Sequence, residues 1–321
     1  MKNYFVKSLL VLLTLLVHFP GKAEDIDLFM GVTPTATDAP NILIILDNTA
    51  NWSTAFVNEK AALVSVLNGL PVNKFNLGLM MFTETGSGNP NPAGAYVRAA
   101  IRPMNDENKP LYSALVNSLV EGGDKGNGRS LGLSMAEAYR YFSGGAAYGG
   151  IKQKRDYSGN SVSPSSTYAA SNTVYGLAGN AFVSAASTTY VKPTSGCQRN
   201  FIIYIGNTTA GGNVTKDNSS ENSTAQNMLS AAGGSVTTIP ISPSGNMDNI
   251  ADEWARFMKI SPETITTYAV NVSQGSEDTD NSALLKSMAG VSGGKYFLVN
   301  STTGAGSQIS DALNNIFSEI Q

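Results

Sequence analysis

Four stretches of the chain are apolar at almost every position: Asn41–Leu46 (NILIIL), Leu77–Phe82, Phe201–Ile205 and Thr266–Val272. Continuous apolarity, rather than alternation, predicts strands covered on both faces by helices, as in a parallel sheet. Between these runs the period changes. Leu63, Val66, Leu67 and Leu70 recur at i, i+3, i+4 and i+7, and Tyr112, Leu115, Val116 and Leu119 repeat the pattern. Leu131, Met135, Ala138 and Phe142 mark a third helix. Ile250, Trp254, Phe257 and Met258 mark a later one, and Ile309, Leu313, Ile316, Phe317 and Ile320 close the chain. Ala95–Arg102 behaves differently: Val97, Ala99 and Ile101 alternate with Tyr96, Arg98 and Arg102, which predicts a half-exposed edge strand. Together the elements predict a doubly wound α/β fold, with a mostly parallel sheet and one antiparallel edge strand.

Residues 143–199 interrupt this order. They are rich in Gly, Ser, Thr and Ala, carry tyrosines at 148, 157, 168, 175 and 190, and show little helical period. They read as a long irregular insertion that offers contact surface and adds little to the core. A second polar stretch, Gly206–Ser223, follows the fourth strand, where sheets of this kind bind ligands.

Composition narrows the chemistry. The 321 residues include one His and one Cys, and the charged fraction is 14%, about half the usual share. His18 falls in a segment with the order of a secretory signal. Lys2 and Lys7 precede the apolar run Leu9–Val17, and Gly21-Lys22-Ala23 closes it with small residues where a signal peptidase reads. The run is too short for a membrane span of roughly 20 residues. Cleavage after residue 23 leaves no histidine, which excludes Ser-His-Asp and Cys-His catalysis and His-ligated metals. A lone Cys197 excludes an intrachain disulfide and reads as a free thiol or an intermolecular bridge. The shortened chain holds 18 basic and 24 acidic residues, a net charge of −6. No basic patch stands out for nucleic acid.

Asp47-Asn48-Thr49-Ala50-Asn51 ends the first predicted strand. The pattern resembles the von Willebrand factor A fold, a Rossmann-like architecture whose first strand ends in Asp-x-Ser-x-Ser. There a carboxylate and two hydroxyls offer hard oxygen ligands to Mg²⁺. Asp47 and Thr49 match in chemistry, and Asn51 puts an amide where the second hydroxyl stands. The wider chain is similar to the N-terminal region of PilY-type proteins, the type IV pilus biogenesis and tip-associated factors of bacteria. PNILIILDN at 40–48, MAEAYRYFSG at 135–144, CQRNFIIYIGN at 197–207, GGKYFLVNS at 293–301 and ALNNIFSEI at 312–320 occur in family order. The resemblance implies one A-like domain over residues 24–321 after the signal peptide of residues 1–23. The family's C-terminal β-propeller is expected to be absent, which makes the chain either a fragment or a domain-only variant.

Departures from the family pattern bear on the metal. The family's second metal loop carries a Thr, where an ungapped match puts Arg129 and a slipped one Ser130. The third loop reads Thr-Asp-Gly in the family and Gly206-Asn207-Thr208 here. A guanidinium opposes a divalent cation, and the lost carboxylate weakens its site. The sequence therefore predicts a degenerate site (Asp47, Thr49, Asn51, Ser130, Asn207) that binds Mg²⁺ weakly or not at all. Arg129 supplies the positive charge beside Asp47, and no other cofactor is called for.

Other candidates carry less. Glu277-Asp278-Thr279-Asp280 lacks the spacing and glycine of a Ca²⁺ loop, so Asp280 or Asn281 reads as a helix cap. Asp252 and Glu253 read as solvated positions on a helix. Gly122–Gly128 lacks the Lys-Ser/Thr ending of a phosphate loop. The resemblance implies an exported, non-catalytic binding module for type IV pilus assembly and tip adhesion. Its implied partners are minor pilins or pilus tip components, with a host or other surface as ligand. The alternative is a free-standing exported A domain that binds a protein or matrix ligand without a pilus. No residue spacing supports a hydrolase.

Overall fold

A computed structural model describes residues 39–49, 53–83, 92–120, 124, 130–151, 154–158, 177, 180–193, 198–208, 217–273, 275–300 and 305–321. The elements run β1 (Asn41–Leu46), α1 (Ser53–Gly69), β2 (Asn76–Phe82), β3 (Ala95–Pro103), α2 (Asn108–Ser118), α3 (Leu131–Ser143), β4 (Asn200–Thr208), α4 (Ser219–Ala231), α5 (Ala251–Ile260), β5 (Ile265–Ser273), α6 (Thr279–Ser292), β6 (Tyr296–Asn300) and α7 (Ala305–Ile320). One sheet has the order β3-β2-β1-β4-β5-β6. All neighbours are parallel except β2 and β3. This is the doubly wound, von Willebrand factor A-like arrangement the sequence predicts. The chain steps outward from β1 to β3 on one side and from β4 to β6 on the other. The order therefore reverses between β1 and β4, and a crevice forms at their carboxyl ends.

The register is marked by asparagines at the strand starts. Asn41 stands opposite both Asn76 and Asn200. Its Nδ2 donates to Asn200 Oδ1 at 3.1 Å, and its Oδ1 accepts from Asn76 Nδ2 at 3.0 Å. A slip of one residue in any of the three strands breaks this buried ladder. Above it, alternate side chains feed two cores. Ile42, Ile44 and Leu46 pack with α1, α2 and α7, while Leu43 and Ile45 pack with α3, α5 and α6. Trp254 anchors the second core, with Nε1 donating to Ala225 O at 3.1 Å.

Four sequence expectations are corrected. The β3 edge is not half-exposed, since Arg98 is 2% and Arg102 6% accessible. The described parts of the insertion cover it: Asp156 N donates to Val97 O, and Asp156 Oδ2 accepts from Ala100 N at 2.6 Å and from Arg102 Nη2 at 2.9 Å. Edge strands need such cover, because their unpaired backbone groups otherwise recruit other chains. The insertion is also not peripheral to folding: Ala181, Phe182 and Tyr190 are buried in the second core. Glu137 of α3 binds it from below, its carboxylate accepting from the Tyr148, Gly149 and Gly150 amides and from Tyr190 OH. A Cβ at Gly150 would lie 1.7 Å from that hydroxyl, so no larger residue fits.

The polar stretch after β4 turns helical at Ser219, where Asn218 and Glu221 form a capping box. The cap of α6 is Asp278, which accepts from Asn281 N at 3.0 Å, rather than Asp280 or Asn281. Asp252 and Glu253 are buried, not solvated, because residues 233–249 fold over the start of α5. Asp252 Oδ2 accepts from Ser287 Oγ at 2.5 Å, and Glu253 Oε1 accepts from Ile239 N at 2.6 Å. β6 was not predicted as a strand; it is short and pairs along β5 alone among the described strands.

Burial, reinforced by the adjacent Asp252 carboxyl, pushes Glu253 up to about 8. The unfolded chain holds this group near 4.3. The folded state thus retains a proton that the unfolded state releases, and stability falls as pH rises from about 5 to about 8. Glu253→Gln keeps the acceptor for Ile239 and is expected to flatten that slope. Thermal melts of both proteins across this range check it, and parallel slopes would show that Glu253 does not hold the proton.

Candidate functional site

The crevice between β1 and β4 is built from backbone turns first. β1 ends at Leu46, and Asp47 N still donates to Ile205 O at 2.9 Å, so the sheet carries Asp47 to its rim. The chain then turns on the Asp47 side chain, whose Oδ1 accepts from Thr49 N at 3.0 Å, as aspartates do in tight turns. Oδ2 accepts from Tyr204 OH at 3.2 Å. Asn48 points elsewhere and acts as a clamp. Its Nδ2 donates to Phe82 O at 3.0 Å and to Asp124 O at 2.6 Å, and its Oδ1 accepts from Phe82 N at 2.8 Å. The first loop, the end of β2 and Asp124 are thereby tied together.

Asn207, near the end of β4, lies against the first loop. Its Nδ2 is 3.5 Å from Asp47 O and 3.4 Å from Glu59 Oε2. Glu59 comes from α1, is fully buried, and was not among the sequence candidates. Burial, then the Asp47 charge, raises the Glu59 carboxyl well above its ordinary range. A signal for it exists in the sequence: Glu59 stands four residues before Leu63 and so falls on the stripe that α1 turns to the sheet.

Ser130 is buried and precedes α3, and its carbonyl accepts from Ser134 N at 2.9 Å. Beside it Asp217, also missed, accepts from Leu131 N at 2.9 Å and Gly132 N at 2.8 Å. A carboxylate thus fills the positive end of α3. Asp47, Thr49 and Asn207 are brought together. Ser130 stands at the start of α3 and makes no hydrogen bond to them among the described residues. Asn51, Arg129 and Cys197 lie outside the described residues, as do residues 1–23.

Three buried oxygens here have no hydrogen-bond partner among the described residues: Glu59 Oε1, Asn207 Oδ1 and Ser130 Oγ. Orphaned buried oxygens are rare and ask for a partner. Glu59 Oε1 and Asn207 Oδ1 lie beside the Asp47 loop and are hard oxygens of the kind that suits Mg²⁺ or Ca²⁺. Among the described residues no three His, Cys, Asp or Glu side chains converge as a metal group, so the acidic share is the pair Asp47 and Glu59. The residues present fit a hard divalent cation.

No protein-family model matches the chain, and no curated protein does. Solved structures do match. Proximal thread matrix protein 1 from the mussel byssus is 10% identical over 88% of this chain and 48% of its own, with a TM-score of 0.42. The pilus adhesin SpaC from Lactobacillus rhamnosus GG is 8% identical over 88% of this chain and 30% of its own, at 0.46. The von Willebrand factor domain of the type V pili tip protein Mfa5 from Porphyromonas gingivalis is 9% identical over 89% of this chain and 97% of its own, at 0.41. The chain spans half or less of the first two. These likenesses are of fold alone.

Proposed function

We propose that the chain is an exported, non-catalytic binding module that contributes to type IV pilus assembly and tip adhesion. One observation supports this reading above others: the five segments similar to PilY-type proteins fall on β1, α3, β4, β6 and α7, the elements that frame the crevice and close the fold. A resemblance confined to surface loops would carry no such weight. The described residues of the crevice are hydroxyls, carboxyls and amides held by short loops, which suits recognition of a polar ligand. No helix among the described residues is long and apolar enough to cross a membrane. On this reading the mature protein starts near Glu24, meets minor pilins or other tip components, and presents the crevice to a host or other surface ligand. Neither nucleic acid nor a stable membrane span enters it.

Shearing pili from bacteria that carry the tagged protein tests the reading. The tagged chain, beginning near Glu24 by amino-terminal sequencing, is expected to co-purify with minor pilins, and its deletion to reduce surface pili and attachment. An intact Met1 on a cytoplasmic product overturns the reading. A secreted product absent from pili, with piliation unchanged on deletion, replaces it with the free-standing A domain.

A further inference from the structure

We propose that a cleft between the insertion and the β3 edge binds the carboxyl-terminal residue of a partner polypeptide, its apolar side chain on Ile101 and Phe182 and its carboxylate on Lys192 and Tyr141. The inference is separate from the pilus reading and does not depend on it. The cleft holds about 380 Å³, enough for one large residue. It lies toward the opposite end of the sheet from the Asp47 crevice, because Ile101 precedes Arg102, the partner of Leu77 at the start of β2. Its floor is buried and apolar: Ile101 of β3, Tyr141 of α3 and Phe182 of the insertion. Its rim is apolar and open, with Val183 70% and Val191 40% accessible. Lys192 stands next to Val191 and also lines the cleft.

The polar groups decide what enters. Tyr141 OH accepts from Ile101 N at 2.8 Å, and its own hydrogen has no acceptor among the described residues. Burial raises this hydroxyl well above its ordinary range, so it remains a donor. A buried donor of this kind asks for an acceptor. Lys192 adds a second donor, and the local charge favours an anionic acceptor over a neutral one. Arg102 is balanced by Asp156 and Lys192 by Glu263. Arg155, buried and 4.7 Å from the Phe182 ring centroid, has no carboxylate partner among the described residues. A buried cation without a counter-charge draws an anion. A sugar fits less well, since Phe182 stacks on Tyr190 at 4.6 Å and meets Arg155 as well, which leaves no aromatic face open. A free small acid would cover the floor and leave Val183 and Val191 wet. The residues that precede a chain terminus pass over them.

Fluorescence polarisation of fluorescein-labelled Gly-Gly-Gly-Phe, as the free acid and as the amide, tests this against the full chain. The acid is expected to bind about tenfold or more tighter than the amide. Lys192→Gln should weaken the acid about tenfold, whereas Glu263→Gln frees the ammonium and should tighten it. A structural role alone for the Lys192–Glu263 pair would move both variants the same way. Val183→Asp puts a charge on the exposed rim and should abolish binding while leaving the melting temperature unchanged. Absence of saturable binding, equal binding of acid and amide, or unchanged affinity in Lys192→Gln overturns the proposal. N-acetylphenylalanine competing as well as the unlabelled tetrapeptide also overturns it and assigns the cleft to a free acid. None of these outcomes bears on co-purification with pili, so the two readings fall separately.

Discussion

A chain in which residues 146–194 are replaced by a short Gly/Ser linker is expected to lose its cooperative melt. The loop-closure cost of the change is small, since it grows only with the logarithm of length. The packing cost is not. Ala181 and Phe182 are fully buried, and Phe182 stacks on Tyr190 with centroids 4.6 Å apart. Tyr190 in turn meets Tyr141 of α3 edge-on at 5.4 Å. Losing a buried aromatic costs about 3–5 kcal/mol, and two go together here. Glu137 would lose the Tyr148, Gly149 and Gly150 amides and the Tyr190 hydroxyl that satisfy its buried carboxyl. Arg102 would lose Asp156. These losses together match the whole stability of an ordinary domain, about 5–15 kcal/mol. Calorimetric scans and near-ultraviolet circular dichroism decide the matter. A sharp transition near the parent temperature would show the segment to be an appendage.

The contrast between that expectation and the low periodicity of residues 143–199 marks where sequence reading ends. β1, β2, β4 and β5 were legible because both faces of each strand are buried, which makes most positions apolar. α1, α2, α3, α5 and α7 were legible because their large apolar residues recur at helical spacing, even where α3 and α5 are buried on most sides. The insertion packs by single anchors, Phe182 and Tyr190, held in irregular backbone, and such anchors have no period. Arg98 and Arg102 looked exposed because a charged side chain at alternate positions ordinarily is. Their partners lie far along the chain, at Asp124 and Asp156, and no local pattern announces them. β6 (YFLVN) was missed because an edge strand of five residues with mixed burial resembles any short apolar patch.

The site divides in the same way. Asp47 and Thr49 were visible because a tight turn after a buried strand keeps its ligand-bearing residues contiguous. Asn207 was visible only through the resemblance. Glu59 and Asp217 come from elements that a loop motif does not include, one inside a helix and one ten residues after Asn207. A charged residue on an otherwise apolar helical stripe is the signal that finds the first. The second has none, since a carboxylate at a distant helix start depends on the path of the intervening chain.

Asp156→Ala is expected to be the most damaging single substitution on the β3 side of the sheet. Asp156 Oδ2 accepts from Arg102 Nη2 at 2.9 Å and from Ala100 N at 2.6 Å, and Oδ1 accepts from Asn180 N at 3.1 Å. One carboxylate thus neutralises a buried guanidinium, satisfies an edge-strand amide and pins the insertion. Truncation takes the Asp156 charge away from Arg102, which keeps Tyr112 and the Ala100 carbonyl among its partners. Removing one partner of a buried ion pair costs about 3–5 kcal/mol. For a chain of this length that lowers the melting temperature by roughly 10 °C. Asp156→Asn keeps the size and one acceptor and should fall between. The decisive control removes both charges: Asp156→Leu with Arg102→Met leaves no buried ion, and buried pairs replaced in this way often recover. Melting temperatures in the order parent, double variant, Asn, Ala support the account. A double variant no more stable than Asp156→Ala would mean that Asp156 acts through the backbone amides of Ala100 and Asn180 rather than through Arg102.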